Sequence, residues 1–339
     1  MKKKYGFVAL MLSVILVMSG VIVHFSQGKT GLEEKEQEGK IEVLTSFYPM
    51  YIATKNVTKD MEHIHVQNMA GPTAGCLHDY QLTPEDMMKL SKADIFVING
   101  GGIEAFMEDV MKQYPELTVI NASENIEMLR NDSYEGEGHS HSDDEATKEE
   151  QVDHDHVEDE VEDHSDHDHG EFNAHVWMDI DKYKQEVEKI ADSIGAYDSD
   201  YQETYHSNAA AYEDKLDRLQ TEVVSTMENL SSEHVVIFHD AFVYFAKAYG
   251  LEVDYVIDMD ENTSLSANQV AQIVDVVKAH DIQLLFCEEQ YSTLISDSIA
   301  RETGAEVFIL DSLVTGDDSY DSYIHGMEKN MEILKEALQ

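Results

Sequence analysis

The chain has 339 residues, enough for two compact lobes, and its hydrophobic content of 42% predicts a folded protein. Its formal net charge of −46 at pH 7 argues against nucleic acid as a partner, because phosphates would be repelled, and is compatible with cations. The two cysteines, Cys76 and Cys287, are too few for a disulfide scaffold or a cysteine-based zinc module, and the sequence leaves open whether they form one bridge.

The N-terminal segment is typical of exported proteins. Three lysines fall within residues 1–5, and residues 6–25 contain no acidic or basic residue apart from one histidine. The pattern indicates a signal peptide or an uncleaved membrane anchor over residues 1–28, followed by a charged linker over residues 29–40, and the length favours the anchor. Either alternative places the rest of the chain outside the cytoplasm, at the cell surface or on the periplasmic side.

From residue 41 onward, strand-like and helical segments alternate, which predicts parallel sheets covered by helices. Strands are expected at residues 41–47, 63–69, 94–99, 118–121, 234–238, 253–257, 283–286 and 307–310. Helices are expected at residues 50–59, 83–91, 103–113, 181–196, 198–230, 241–249, 266–280, 292–303 and 319–338.

The longest helical segment, residues 198–230, has apolar residues at every third or fourth position. Roughly thirty residues at about 1.5 Å each span about 45 Å, the length of a rod that crosses a whole molecule. We therefore predict an α/β protein of two lobes, each a mostly parallel sheet flanked by helices, joined by one long backbone helix. The expected lobes are residues 41–180 and 232–339, with the connecting helices at residues 181–231.

A charged insertion interrupts the first lobe at residues 131–170. It contains seventeen Asp or Glu residues, one lysine and almost nothing apolar, so it cannot bury enough surface to offset its chain entropy. We expect a disordered loop whose histidines favour weak, multi-site metal capture, and a purely solvating loop stays open as the alternative. The histidines are His139, His141, His154, His156, His164, His167 and His169.

Three histidines outside the loop lie at predicted strand-to-helix turns, the edge of an α/β sheet where ligand sites assemble. His78 follows a loop with glycine and proline, His175 stands two residues before the only tryptophan, Trp177, and His239 follows a strand. Asp311 lies at a fourth such turn. Taken alone, His175 fits a hydrogen-bonded core histidine better than a ligand. Together, three imidazoles and one carboxylate form a tetrahedral ligand set for Zn²⁺, and we expect the site in the cleft between the lobes.

These motifs resemble those of the metal-binding receptors of bacterial ABC importers, in the branch that takes up zinc. The matching blocks are Thr-Ser-Phe-Tyr-Pro at 45–49, His-Asp-Tyr at 78–80, His-Val-Trp at 175–177, Phe-His-Asp-Ala-Phe at 238–242, Tyr-Gly-Leu at 249–251, Glu-Thr-Gly at 302–304 and Leu-Asp at 310–311. They match in order from about residue 41 to residue 338, and the acidic histidine-rich insertion is also typical of the zinc branch.

The resemblance implies a receptor, not an enzyme, that captures one Zn²⁺ ion between its lobes and delivers it to a membrane permease driven by an ATPase. It assigns His78, His175, His239 and Asp311 as the metal ligands. The manganese or iron branch usually has a carboxylate at the position of His239, so the imidazole there favours zinc. We expect a monomer.

Several residues near these ligands carry further expectations. Glu288 is expected to line the cleft or to orient an imidazole, and a surface or capping role fits the sequence equally well. Trp177 is expected to form the wall that fixes His175, and Asp240 is expected to cap the helix that follows it. The family pattern has a proline where this chain has Ala174 and Ile180, and a small-polar run where it has residues 75–77, which affects the geometry of these loops.

Other functions stay open at this point. They are a receptor for manganese or another divalent metal, a surface metal buffer or adhesin, and a zinc hydrolase, since three histidines with an open position activate water. The chain contains no His-Glu-x-x-His motif, which disfavours the hydrolase.

Overall fold

The structure is a computed structural model, and it describes residues 39–71, 77, 80–131, 171–228, 234–257, 265–288 and 294–336. The expected N-terminal anchor, nearly all of the acidic loop, Cys76 and His78 lie outside these residues. Within the described ranges, no helix combines the length and the apolar character needed to cross a membrane.

The first lobe is a four-stranded parallel sheet with three helices. Its strands are β1 (Ile41–Thr45), β2 (Ile64–Asn68), β3 (Ile95–Ile98) and β4 (Thr118–Asn121), in the spatial order β2-β1-β3-β4. Its helices are α1 (Tyr48–Val57), α2 (Pro84–Leu90) and α3 (Met107–Gln113). Every residue of β3 is buried, as expected for a parallel strand covered on both faces.

Two helices connect the lobes, α4 (Ile180–Tyr197) and α5 (Gln202–Met227). Asp179 caps α4, because its side chain accepts hydrogen bonds from the backbone N–H groups of Asp181 and Lys182. The 26 residues of α5 span about 39 Å, and its buried residues recur at helical spacing. Helix α5 packs along α4 and contacts a helix of each lobe, α1 and the C-terminal helix α9 (Ser322–Glu336), so it is the backbone helix predicted from the sequence.

The second lobe repeats the architecture of the first. Its strands are β5 (His234–Ile237), β6 (Glu252–Val256), β7 (Leu284–Glu288) and β8 (Glu306–Leu310), in the order β6-β5-β7-β8, again parallel. Its other helices are α6 (Phe242–Ala248), α7 (Ala267–Ala279) and α8 (Leu294–Thr303). The predicted fold class, two parallel sheets flanked by helices and joined by one long helix, is therefore confirmed.

One hydrophobic core passes through both lobes. It contains the first sheet, the inner faces of α4 and α5, and alternate residues of β5 and β7 such as Ile237 and Phe286. The residues between them, such as Val236 and Leu285, face the opposite way and form a second, smaller cluster with α7 and α8. The second sheet is thus buried on both faces, but only one face belongs to the core shared with the first lobe.

The lobes also contact each other directly beside α1. The Tyr48 hydroxyl donates to Ser322 Oγ over 2.6 Å, and the Asn56 side chain donates to the Tyr320 carbonyl over 2.8 Å. A Cβ at Gly316 would lie 2.3 Å from the Tyr48 hydroxyl, so a larger residue there would displace the tyrosine from its hydrogen bond to Ser322. These contacts hold α1 against the first residue of α9 and the loop that precedes it.

Candidate metal centre

His175 is completely buried at the point where the chain enters α4. Asn173 Oδ1 accepts a hydrogen bond from the His175 backbone N–H over 2.9 Å and also lies 2.9 Å from the imidazole Nδ1. The amide orientation is set independently, because Asn173 Nδ2 donates to the Asp240 carbonyl over 2.9 Å. Since an amide oxygen only accepts, this contact places the proton on Nδ1 and leaves Nε2 as the basic nitrogen of the ring.

The turn into His175 is held without the family's proline. The carbonyl of Ala174 accepts from Asn99 Nδ2 over 2.9 Å, and the carbonyl of Asn173 accepts from the Tyr244 hydroxyl over 2.9 Å. Both partners are buried, so these bonds are shielded from water. Side chains from α6 and from the residue that follows β3 therefore fix a backbone that the sequence alone left undefined.

Trp177 packs against His175 and joins the two lobes. Its ring centroid lies 5.1 Å from that of His175, and Phe47 of the first lobe meets it edge-on at 4.9 Å. The indole N–H donates to the Ser312 carbonyl of the second lobe over 2.8 Å, and Tyr323 donates back to the Trp177 carbonyl over 2.7 Å. The fully buried indole thus forms one wall of the site and a link across the interface.

His239 lies in the second lobe, two residues after the end of β5, and is 4% exposed. Its Nδ1 lies 2.8 Å from Oε2 of Glu288, the last residue of β7. Strands β5 and β7 are neighbours in the sheet, so their carboxyl ends bring the two residues together. A carboxylate at this distance from one ring nitrogen is positioned to orient the imidazole, with Nε2 directed away from it.

The two imidazoles meet at the boundary between the lobes. Their ring centroids are 5.0 Å apart, with an angle of 82° between the planes. Asp240 Oδ1 lies 3.4 Å from His175 Nδ1 and 3.5 Å from His239 Nε2. The possible ligand atoms of these three residues all lie within 4.8 Å of one another, and such a group can hold a metal ion. Ligand atoms on a tetrahedral Zn²⁺ are separated by about 3.4 Å, given bonds of roughly 2.1 Å.

Asp240 is a member of this group that the sequence analysis did not identify. Its expected role as a helix cap is wrong, because the residue that precedes α6 is Ala241 and no side chain caps that helix. Its carboxylate faces the two imidazoles instead. One feature of the sequence could have identified Asp240 as part of the site. It follows the predicted ligand His239 directly, within the Phe-His-Asp-Ala-Phe block.

Asp311, the predicted fourth ligand, lies at the end of β8 and outside the group formed by His175, His239 and Asp240. Its Oδ1 accepts from the Leu313 N–H over 2.7 Å, and its backbone N–H donates to Asn330 over 2.8 Å. The next residue, Ser312, accepts the hydrogen bond from Trp177. The assignments of Asp311 and of His78, which lies outside the described residues, both stay predictions.

Cys287 is a free and buried thiol in β7. Burial raises the pKa of the Cys287 thiol to about 12, so at neutral pH it is protonated and is a poor metal ligand. Its side chain belongs to the outer cluster of the second lobe, on the opposite face of β7 from Glu288.

Two carboxyl groups are buried in the first lobe and in α4. Glu104 accepts hydrogen bonds from the Ser46 hydroxyl and from the backbone N–H groups of Asn99 and Gly100, yet burial raises its pKa to about 7. Glu186 is fully buried, and neither of its oxygens has a hydrogen-bond partner among the described residues. Burial and the nearby Glu104 raise the pKa of Glu186 well above its ordinary value.

Comparison with protein families gives a match over residues 43–337 to the family described as ZnuA, zinc-uptake complex component A, periplasmic. A zinc-binding lipoprotein of Streptococcus pneumoniae, AdcA, is 29% identical over 308 residues, which cover 90% of this chain and 57% of the relative. This chain therefore spans little more than half of that relative's length. The high-affinity zinc uptake system protein ZnuA of Bacillus subtilis is 29% identical over 305 residues, 88% of each chain.

Solved structures give the same result for the fold. The crystal structure of Zn(II)-bound AdcA from Streptococcus pneumoniae matches 88% of this chain and 57% of its own, with a TM-score of 0.68 and 26% identity. The structure of YcdH, a metal-dependent lipoprotein of Bacillus subtilis, matches 88% of this chain and 98% of its own, with a TM-score of 0.65 and 26% identity.

Proposed function

This chain belongs to the family of zinc-uptake complex component A, and from that membership we propose that it is an extracytoplasmic receptor for Zn²⁺. In this proposal the chain captures one ion between its lobes and delivers it to an ABC-type permease for import. The observation that carries the proposal is the convergence of two buried imidazoles, His175 from the first lobe and His239 from the second, at 5.0 Å. Two imidazoles from different lobes make the bound ion a link between them.

We assign the ion to His78, His175, His239 and Asp311. The chemistry of this set supports zinc over manganese, because imidazole nitrogen suits Zn²⁺ whereas Mn²⁺ prefers oxygen ligands. Nδ1 of each described imidazole lies close to an oxygen, Asn173 Oδ1 at 2.9 Å in one case and Glu288 Oε2 at 2.8 Å in the other. Such contacts orient both rings, and the Glu288 carboxylate also makes His239 a stronger ligand. The site is thus built to hold an ion, which suits a receptor rather than an enzyme.

The other parts of the chain have supporting roles in this proposal. The N-terminal apolar segment tethers the receptor to the membrane, outside the cytoplasm. The seven histidines between residues 139 and 169 bind Zn²⁺ weakly and raise its concentration near the interlobe site. The receptor acts as a monomer, and the net charge of −46 attracts cations to its surface.

Calorimetric titration in the presence of a competing chelator tests the metal assignment. The metal-free protein is expected to bind one equivalent of Zn²⁺ tightly and to bind Mn²⁺ more weakly. His175→Ala should abolish the tight phase. His206→Ala is the matched control, because His206 is a partly exposed histidine 3.6 Å from Asp192 and away from the site. Tighter binding of Mn²⁺, or an unchanged tight phase in His175→Ala, would overturn the assignment.

The fourth ligand is tested by two carboxylate variants. Asp311→Asn is expected to weaken zinc binding more than Asp240→Asn does, because Asp240 acts here as a neighbour that faces the imidazoles. A larger loss in Asp240→Asn would transfer the ligand role to the carboxylate that already lies 3.4 and 3.5 Å from the two rings.

Deleting residues 132–170 separates the tight site from the loop. We expect the tight equivalent to survive, while the weak equivalents and zinc uptake at scarce zinc fall. Loss of the tight equivalent on deletion would contradict this division of roles.

A further inference from the structure

A second set of metal-type ligands lies in the second lobe, away from the interlobe site. Asp254 of β6 has an almost fully buried side chain, 4% exposed, and its two oxygens face two different imidazoles. Oδ2 lies 2.8 Å from His234 Nδ1, and Oδ1 contacts His280 Nδ1. We refer to these three residues as the lateral triad.

A break in the sheet places Asp254 in the lateral triad. Strands β5 and β6 pair Val235 with Val253 and then Val236 with Tyr255, so Asp254 is the extra residue of a bulge. Bulges re-aim side chains and are frequent beside functional sites. Here the bulge lies next to His234, the first residue of β5, and gives the carboxylate a histidine neighbour within its own sheet.

The other imidazole comes from the end of a helix. His280 is the C-cap of α7, and its N–H donates to the Val276 carbonyl. The following residue, Asp281, has a φ of +51°, which ends the helix and turns the chain toward β7. The position of His280 beside Asp254 is therefore set by the backbone, while its side chain, 51% exposed, can rotate.

We propose that the lateral triad is a second binding site for a transition-metal dication of the Zn²⁺ class. Two imidazoles and one carboxylate are zinc ligands of the ordinary kinds. The side chains of His234 and His280 are 40% and 51% exposed, so the site opens to solvent and completes its coordination with water. The two ring centroids lie 6.5 Å apart, and the triad is more open than the interlobe group, whose ligand atoms lie within 4.8 Å of one another. In this proposal, the exposed rings rotate around the buried carboxylate to bring both nitrogens onto the ion.

The lateral triad is separate from the interlobe site. His234 begins β5 and His239 follows its end, and five residues of extended chain span about 16 Å. The two sites therefore lie at opposite ends of strand β5. The open lateral site binds less tightly and exchanges its ion faster than the enclosed one, and its existence does not depend on the function proposed for the interlobe site.

Anomalous diffraction at the zinc absorption edge tests the proposal on crystals of the full chain grown with excess Zn²⁺. The expected result is a peak bounded by His234, Asp254 and His280, in addition to any peak at the interlobe site. In solution, the protein is first loaded with one equivalent of Zn²⁺ and then titrated further. His280→Gln should lose one weaker equivalent, and Asp254→Asn should lose the same equivalent.

The matched control is His206→Gln, which removes a partly exposed histidine that faces one carboxylate and no second imidazole among the described residues. His206→Gln should bind as many equivalents of Zn²⁺ as the unmodified chain. Thermal unfolding of His280→Gln checks the fold, and the exposed ring predicts an unchanged midpoint. The absence of a peak at the lateral triad, or equal stoichiometry in His280→Gln and the unmodified chain, would overturn the proposal.

Discussion

The two lobes share one strand order, but they hold their histidines by different means. The nearest neighbours of His175 in the first lobe are neutral, the Asn173 amide at 2.9 Å and the Trp177 ring, and the Asp240 carboxylate lies farther away at 3.4 Å. His239 of the second lobe is fixed by a carboxylate, Glu288. An amide orients an imidazole without changing its charge balance, whereas a carboxylate also makes it more basic. The same architecture therefore supplies one geometrically rigid ligand and one electronically strengthened ligand.

The lobes also differ in how their cores are connected. The first sheet shares its core with α4, α5 and one face of the second sheet. The other face of the second sheet has a cluster of its own, under α7 and α8. A substitution at the shared interface should therefore affect both stability and metal binding, whereas one in the outer cluster should affect stability alone.

The largest expected effect comes from the residue that links the lobes. Trp177→Ala should lower the free energy of unfolding by about 3–5 kcal/mol, as for other fully buried large residues, and should also weaken zinc binding. Urea unfolding and zinc titration measure the two effects. Ile299→Ala, in the outer cluster, is the comparison and should destabilise without changing zinc affinity. Equal zinc affinity in Trp177→Ala and the unmodified chain would contradict the inference that Trp177 holds His175 in position for the metal.

Buried acid in the first lobe should make stability fall as pH rises. The pKa of Glu104 is about 7 when folded and 4.5 by its ordinary value, so between these values the folded state binds more protons than the unfolded state. The free energy of unfolding of the zinc-free protein should therefore decrease by about 3 kcal/mol as pH rises from 4.5 to above 7, since each pKa unit corresponds to about 1.4 kcal/mol. Glu186 contributes with the same sign.

Urea unfolding at several pH values measures this slope. Glu104→Gln should make the slope shallower, because the amide does not titrate, while Glu186 still contributes the remainder. Glu306→Gln, at an exposed position of β8 in the second lobe, should leave the slope unchanged. If stability fell equally steeply with pH in Glu104→Gln, a group other than Glu104 would be the cause of the pH dependence.

The orienting groups give the next effect and test the contrast between the lobes directly. Glu288→Gln should weaken zinc binding by about 10–100-fold, the usual cost of losing a carboxylate behind a ligating histidine. Asn173→Asp puts a carboxylate behind His175, and we expect tighter zinc binding at neutral pH. Competition titrations with a chelator measure both. No change in Glu288→Gln would show that the 2.8 Å contact does not tune the ligand.

The smallest effects should be alike in the two lobes. Each lobe has a capping box, Thr83 with Asp86 before α2 and Ser266 with Gln269 before α7. Thr83→Ala and Ser266→Ala should each cost about 1 kcal/mol and leave zinc affinity unchanged. Chemical unfolding measures them. A loss of zinc affinity in Thr83→Ala alone would connect the α2 terminus to the neighbouring segment that carries His78.

Much of the fold was predictable because its signals are local. Strand-like segments rich in β-branched residues and segments with helical periodicity predicted the strands and α-helices of the described residues to within about four residues at each end. The Thr-Pro-Glu-Asp start of α2 was recognisable as a cap. The long helix was expected to start at residue 198, whereas a short 3₁₀ turn, Ser199–Tyr201, comes first and α5 begins at Gln202. Ends of this kind depend on local hydrogen bonds that residue patterns do not specify.

The sequence by itself determined the fold class, the backbone helix and the position of His239 at a strand-to-helix turn, since periodicity and turn chemistry are properties of neighbouring residues. Only the tertiary structure decided which groups face the rings of His175 and His239. Glu288 reaches His239 from another strand, Asp240 reaches His175 from the other lobe, and the bulge that aims Asp254 at two histidines has no local signature. Asn173 is the local exception, because it lies two residues from His175. The other roles depend on distances between segments far apart in the chain, and these distances are set by the packing of the two lobes on α4 and α5.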